Sequence, residues 1–231
     1  MNIISNEKLI RRNNRIGLVA TFGGLIILGL GMYITLAVQQ YASFSLLFLL
    51  VGYILSQVGI YYSNRFGKSP RPDEMLNTSL KGLDSKYTVY HYSSPVSHLL
   101  VGPAGIWILL PHHQKGVITY SNGRWKQKGG NWYLKIFAQE GLGRPEVEVS
   151  SQIQSMQKFL KEKLGEENEI PQIQSALVFT NPKVEISIPD DETPPAETIQ
   201  LSKLKDVVRK SSKGKSLSPA NLALIEQALE K

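Results

Sequence analysis

From position 16 to position 64 the chain carries no Asp, Glu, Lys, Arg or His, a run of 49 residues. Crossing about 30 Å of hydrocarbon takes roughly 20 apolar residues in a helix. The run is too long for one crossing and suits two, over residues 16–38 and 41–62, with Gln39 and Gln40 as the polar break. So short a link makes the two helices antiparallel, a transmembrane hairpin. Ala20 with Gly24 and Gly52 with Ser56 put small residues at spacing four, which lets helices approach closely, although glycine is common in such spans in any case.

Charge orients the hairpin. Lys8, Arg11, Arg12 and Arg15 precede the first span, Arg65, Lys68 and Arg71 follow the second, and the link has no basic residue. The positive-inside bias places both ends in the cytoplasm, as a multi-pass protein of the cell (plasma) membrane whose first partner is the lipid bilayer. A cleaved signal peptide fits poorly, because the apolar core is long and a second span follows at once. The expected division is a cytoplasmic basic tail at 1–15, the hairpin at 16–62, a Gly/Pro linker at 63–71 and a cytoplasmic domain at 72–231. With no cysteine, disulfides, thiolate zinc sites and cysteine nucleophiles are excluded. The formal net charge of +7 leaves the soluble part mildly basic, which suits anionic partners and lipid headgroups equally.

Periodicity predicts a helix over 73–83, then strands over 87–92, 96–101 and 106–110, the last two joined by a Gly-Pro-Ala-Gly turn. Ser121-Asn122-Gly123 predicts a hairpin between strands 116–120 and 124–127, and 132–137 reads as a further strand. A helix follows over 150–164, capped by Ser150 or Ser151 and ended by Gly165. Strands at 173–180 and 184–188, an acidic Pro-rich loop at 190–197, and helices at 201–210 and 219–230 complete the chain. That order predicts an α/β domain with a mixed sheet and flanking helices.

Residues 97–116 (SHLLVGPAGIWILLPHHQKG) carry an apolar strand, a Gly turn at Gly105, a second strand, His98 and Lys115-Gly116. With Gly123-Arg124-Trp125, with Asp73-Glu74 opening a helix, with Pro145 and Gln152 before the next helix, and with the strand at 177–180, this resembles the nuclease-related domain family, NERD. The resemblance implies a restriction-endonuclease-like fold, and an active site in which Asp and Glu hold a divalent metal beside a Lys. Aligned on the frame, the Asp falls on Ser97, the Glu on Leu110 and the Lys on His112, with Glu74 and Gln152 left of the wider constellation. Leucine cannot ligate a hard cation and serine is a poor neutral substitute for aspartate. The resemblance therefore implies a degenerate member, with no catalytic residues, no metal and no cofactor expected, serving as a binding or scaffold module. The alternative is an active metal-dependent nuclease whose carboxylates have moved to Glu140, Glu146 or Glu148.

Three other patterns bear on partners. Lys115, Arg124, Lys126 and Lys128, with Trp125 and Trp132, place cations beside aromatics as single-strand nucleic-acid platforms do. The same pattern fits a hairpin with packed tryptophans and solvated lysines. Lys203, Lys205, Arg209, Lys210, Lys213 and Lys215 form a basic run that suits phosphate, anionic lipid or plain solvent. His112-His113 with His91 and His98 raises a transition-metal site, but strand neighbours point to opposite faces. Nucleic acid, another membrane protein and lipid headgroups thus remain the candidate ligands.

Overall fold

A computed structural model describes residues 1–129, 141–165, 170–213 and 217–230. It divides into two compact units: Glu7–Arg71 in one, Met1–Asn6 with the described residues from Pro72 onward in the other.

The first unit is two helices, α1 (Glu7–Ala37) and α2 (Ala42–Tyr62), joined through a 3-10 turn at Gln39–Tyr41. α1 begins nine residues before the uncharged run and takes up the basic residues that the sequence reading assigned to a tail. The helices meet through small side chains. A Cβ on Gly24 would stand 2.9 Å from the Ser56 nitrogen, and one on Gly52 would stand 2.9 Å from the Leu28 nitrogen. Gly17, Ala20, Gly24 and Gly31 are buried on one side and Ser45, Gly52 and Gly59 on the other. Thr35 Oγ1 donates to Ser45 Oγ at 2.8 Å across the interface. The remaining surface is apolar and uncovered. Only 22% and 17% of the most apolar windows of the two candidate spans are buried, so neither resembles the core helix of a soluble domain. Both are long and apolar enough to cross a membrane.

The second unit is built on a six-stranded mixed sheet, ordered β1-β2-β3-β4-β7-β9. Its strands are β1 (Asn2–Ser5), β2 (Thr88–His91), β3 (His98–Gly102), β4 (Gly105–His112), β7 (Ile173–Phe179) and β9 (Glu197–Gln200). β2, β3 and β4 are antiparallel neighbours, whereas β1 on β2, β4 on β7 and β7 on β9 are parallel. The carboxyl ends of β1, β2, β4, β7 and β9 therefore share one edge. Between β4 and β7 the chain forms a hairpin, β5 (Gly116–Ser121) and β6 (Arg124–Lys128), then helix α4 (Pro145–Leu164). The hairpin adds β8 (Val184–Ile186) to make a small sheet ordered β6-β5-β8. Helices α3 (Pro72–Leu80), α5 (Leu204–Ser212) and α6 (Pro219–Glu230) complete the domain.

Strand alternation sorts the core. Ile106, Ile108 and Leu110 of β4 pack with Leu177, Phe179, the inner residues of the small sheet, Val149, Met156 and Leu160 of α4, and Ile225 of α6. Trp107 and Leu109 pack on the other face with Leu76 and Leu80 of α3 and Leu204 and Val208 of α5. Burial on both faces is what the unbroken Ile-Trp-Ile-Leu-Leu run requires.

Several expectations shift. Helix α4 starts at Pro145, five residues before the expected serine caps. Proline at the first position needs no partner for its missing N–H, and Glu146 and Glu148 suit the first turn. Ser150 instead back-bonds to the Val147 carbonyl at 3.0 Å. β1 and β9 were not expected. The hairpin cue held, with Asn122 at φ 53 and Gly123 at φ 72. The strand expected at 132–137 lies outside the described residues.

Tyr90 of β2 sits in the core, where burial, and then the carboxylates Glu226 and Glu230 of α6, push its hydroxyl up to about 12. Because the folded value exceeds the unfolded one, this group's contribution is intact below about pH 10 and is lost as pH rises through about 12. Tyr90→Phe is expected to move alkaline unfolding of the domain to higher pH, followed by circular dichroism between pH 9 and 12, and to leave neutral-pH unfolding nearly unchanged.

Candidate functional site

At the carboxyl end of β4 the apolar stripe gives way to His112, 8% exposed. Its imidazole stacks on Phe179, ring centroids 5.6 Å apart at 29°, as the parallel pairing of the two residues dictates. Its Nε2 lies 3.9 Å from Glu148 Oε2 in the first turn of α4, where the positive end of the helix dipole favours a carboxylate. Two glutamines hold the approach to that turn. Gln114 donates from Nε2 to the Gly141 carbonyl at 3.1 Å, and Gln127 donates to the Lys115 carbonyl at 2.9 Å while its Oε1 accepts from the Leu142 N–H at 3.1 Å. Gln114 Oε1, Glu146 Oε2 and Gln152 Oε1 are buried acceptors with no hydrogen-bond partner among the described residues.

The positions aligned with the nuclease letters do not form a metal cradle. Leu110 is 2% exposed in the apolar cluster beneath α4. Ser97 directly precedes β3, and its carbonyl accepts from the Tyr92 N–H at 2.8 Å. Glu74 opens α3, whose Leu76 and Leu80 pack on the opposite face of the sheet from Leu110. Glu148 is the one candidate relocated carboxylate seen to approach this point, and Glu140 lies outside the described residues. Among the described residues there is no group of three His, Asp or Glu side chains able to hold a metal.

The four histidines fall in different places. His91 and His98, both buried, meet through their Nδ1 atoms at 2.8 Å, and His91 Nε2 lies 2.9 Å from Asn77 Oδ1. The amide oxygen accepts, so a neutral His91 carries its proton on Nε2 and takes a hydrogen bond from the Nδ1–H of His98. The pair thereby ties α3 to β2 and β3. His113 is exposed just past the end of β4.

Of the four basic residues singled out in the sequence, Arg124, Lys126 and Lys128 come together. They alternate along β6 on its exposed side, while Trp125 and Gln127 turn inward. Trp125 is 4% exposed, donates from Nε1 to Thr198 Oγ1 at 3.0 Å and meets the Tyr120 ring edge-on at 4.7 Å. It is a core residue, and the cations do not share their face with it. Lys115 lies half-buried in the bend before β5. In the other basic run, Lys205 Nζ donates to the Lys81 carbonyl at 3.3 Å and Arg209 Nη2 to the Gly82 carbonyl at 2.8 Å. Those two satisfy carbonyls just past the end of α3, a structural task. Trp132 and Lys215 lie outside the described residues.

A mixed sheet with a hairpin and a helix inserted between the parallel strands β4 and β7, and a polar cluster at their carboxyl ends, defines an α/β domain of the kind that places its sites at that edge. Residues 74–180 match the sequence model of the nuclease-related domain (NERD) family, and the chain contains such a domain. No curated protein and no solved structure matches the chain significantly.

Restoring the family's glutamate by Leu110→Glu would put a carboxylate into apolar packing. The variant is expected to lose roughly 3–5 kcal/mol of stability in urea unfolding, against under about 1 kcal/mol for Glu148→Gln at the partly exposed rim. Wild-type stability for Leu110→Glu would show that the position tolerates charge.

Proposed function

We infer that this chain is a membrane-anchored nuclease-related domain, restriction-endonuclease-like in fold, that has given up metal-dependent cutting and works as a cytoplasmic binding module. The observation that carries the reading is Leu110, enclosed in the core at the point where the family places a metal-binding glutamate. Metal catalysis of phosphodiester cleavage rests on carboxylate oxygens held around the ion, and Ser97, Leu110 and His112 do not provide them.

The anchoring half of the reading rests on α1 and α2. Their exposed surfaces are apolar, with Leu18, Phe22, Leu25, Ile26, Leu46 and Leu47 all uncovered. The chain leaves the sheet-bearing unit after Asn6 and re-enters it at Pro72, so the hairpin starts and ends on the same domain. That connectivity supports a hairpin that crosses the membrane twice. Basic residues flank both ends and are absent from the link, which favours cytoplasmic termini. The bilayer is then one partner. Nucleic acid, another membrane protein or a lipid headgroup is the other.

A second reading, a nuclease with relocated carboxylates, draws on the approach of Glu148 to His112 and the buried Glu146 oxygen. Purified full-length chain given Mg²⁺ or Mn²⁺ with single- and double-stranded DNA and RNA is expected to show no cleavage above buffer. Cleavage that Glu146→Gln or Glu148→Gln abolishes would replace the first reading with the second. Topology is tested separately. The chain has no native cysteine, so Gln40→Cys and Asn221→Cys each introduce a unique label. A membrane-impermeant maleimide applied to intact cells is expected to modify Gln40→Cys alone, and the reverse pattern would invert the assigned orientation.

A further inference from the structure

The outer face of the β5–β6 hairpin carries three cations that are exposed among the described residues. Arg124, Lys126 and Lys128 stand at alternate positions of β6, the edge strand of the small sheet, and all three are exposed. Alternate residues on a strand lie about 6.6–6.8 Å apart, so the three cations form a row about 13 Å long. Across the ladder they face Ser121, Thr119 and Val117, so no carboxylate opposes them there. None of the three has an ion pair among the described residues. Glu185 shares the face from β8, two strand spacings or about 9–10 Å away, and Glu192 is engaged by the Asn122 N–H at 3.0 Å.

Two ligand classes carry phosphate to such a row, and the face discriminates between them. Single-stranded nucleic acid is held by cations together with exposed aromatic rings on which bases stack. The aromatics of this hairpin, Tyr120 and Trp125, point into the core, and the exposed face presents Val117, Thr119 and Ser121 instead. A lipid surface asks for less: a flat row of long cationic side chains and nothing to stack.

Chain connectivity favours the same answer. A single residue, Asn6, separates β1 from α1, and the polar start of that helix, Glu7 to Arg15, is about 13 Å long at 1.5 Å per residue. Headgroup layers are about 5–8 Å thick on each side of the hydrocarbon. The covalent link between β1 and the apolar run, residues 6–15, is thus short.

We propose that the Arg124–Lys126–Lys128 face is a docking surface for the anionic headgroups of the leaflet in which the hairpin is anchored. The proposal rests on the anchoring part of the function inferred above and adds its ligand. Each Lys or Arg brought to an anionic membrane contributes about fivefold in affinity, so three together give about 100-fold, enough to hold a tethered domain down.

The test uses the full chain in lipid nanodiscs. Thr119→Cys, opposite Lys126 on the face, carries the only thiol and takes a nitroxide label. A nickel-chelating lipid in the discs shortens the label's relaxation when the face meets the headgroups. The expected result is at least about a threefold larger relaxation enhancement in discs containing phosphatidylserine than in phosphatidylcholine discs, reversed by salt near 0.5 M. The enhancement should be lost on combined Arg124→Glu, Lys126→Glu and Lys128→Glu, and reduced in the milder triple glutamine variant. Equal enhancement in neutral and anionic discs, or indifference to both triple variants, overturns the proposal. So does tight binding of a single-stranded oligonucleotide that needs the same three residues while lipid charge has no effect. Failure of the anchor itself is read independently, as chain that does not co-purify with the discs.

Discussion

The domain depends on the burial of β4. It pairs antiparallel with β3 from Gly105 to Ile108 and parallel with β7 from Ile106 to His112, and both faces are covered by helices or by the small sheet. Each fully buried Leu, Ile or Trp of this strand contributes on the order of 1.5–3 kcal/mol. A carboxylate among them would need a cation or a set of donors to offset its desolvation. The core therefore runs unbroken to Leu110, and the first polar side chain on that face is His112, at the rim. On this face apolar packing extends through Leu110, two residues short of the end of the strand.

What remains at that rim is still polar. His112, Glu148 and the two glutamines join the end of β4, the hairpin and the first turn of α4. The hydrogen bonds of Gln114 and Gln127 run to backbone groups, so they fix where α4 begins relative to the sheet.

Much of this was legible in the residues, and the failures have physical causes. The apolar run of β4, the Asn-Gly hairpin and the helix at 219–230 carry local signals that the structure repeats, and for the last Asn221 N–H donates to Ser218 Oγ at 3.2 Å. Alternation along Arg-Trp-Lys-Gln-Lys already implied that tryptophan and the cations face opposite ways. β1 and β9 were missed because four-residue edge strands are specified by their partners more than by their own composition. β1 is registered by β2, with Asn2 opposite Thr88 and Ser5 opposite His91, a pairing across more than eighty residues of chain. The early start of α4 was missed because serines at 150 and 151 drew the boundary away from Pro145. The approach of Glu148 to His112 had no local signal at all.

Two basic clusters of the sheet-bearing unit use positive charge differently. Lys205 and Arg209 are used up on carbonyls just past α3, so the most basic run in the sequence is partly structural. Arg124, Lys126 and Lys128 are fewer, yet they stand in a row on an uncovered face. Count alone does not rank these clusters, because Lys205 and Arg209 each spend a donor on a backbone carbonyl. The strand geometry decides the matter: a period of two sends every second side chain to the same side, and an edge strand leaves that side open. In a domain one residue away from a helix able to cross a membrane, such a face meets a charged planar surface more readily than a nucleic acid, for whose bases the described residues of the hairpin present no exposed ring.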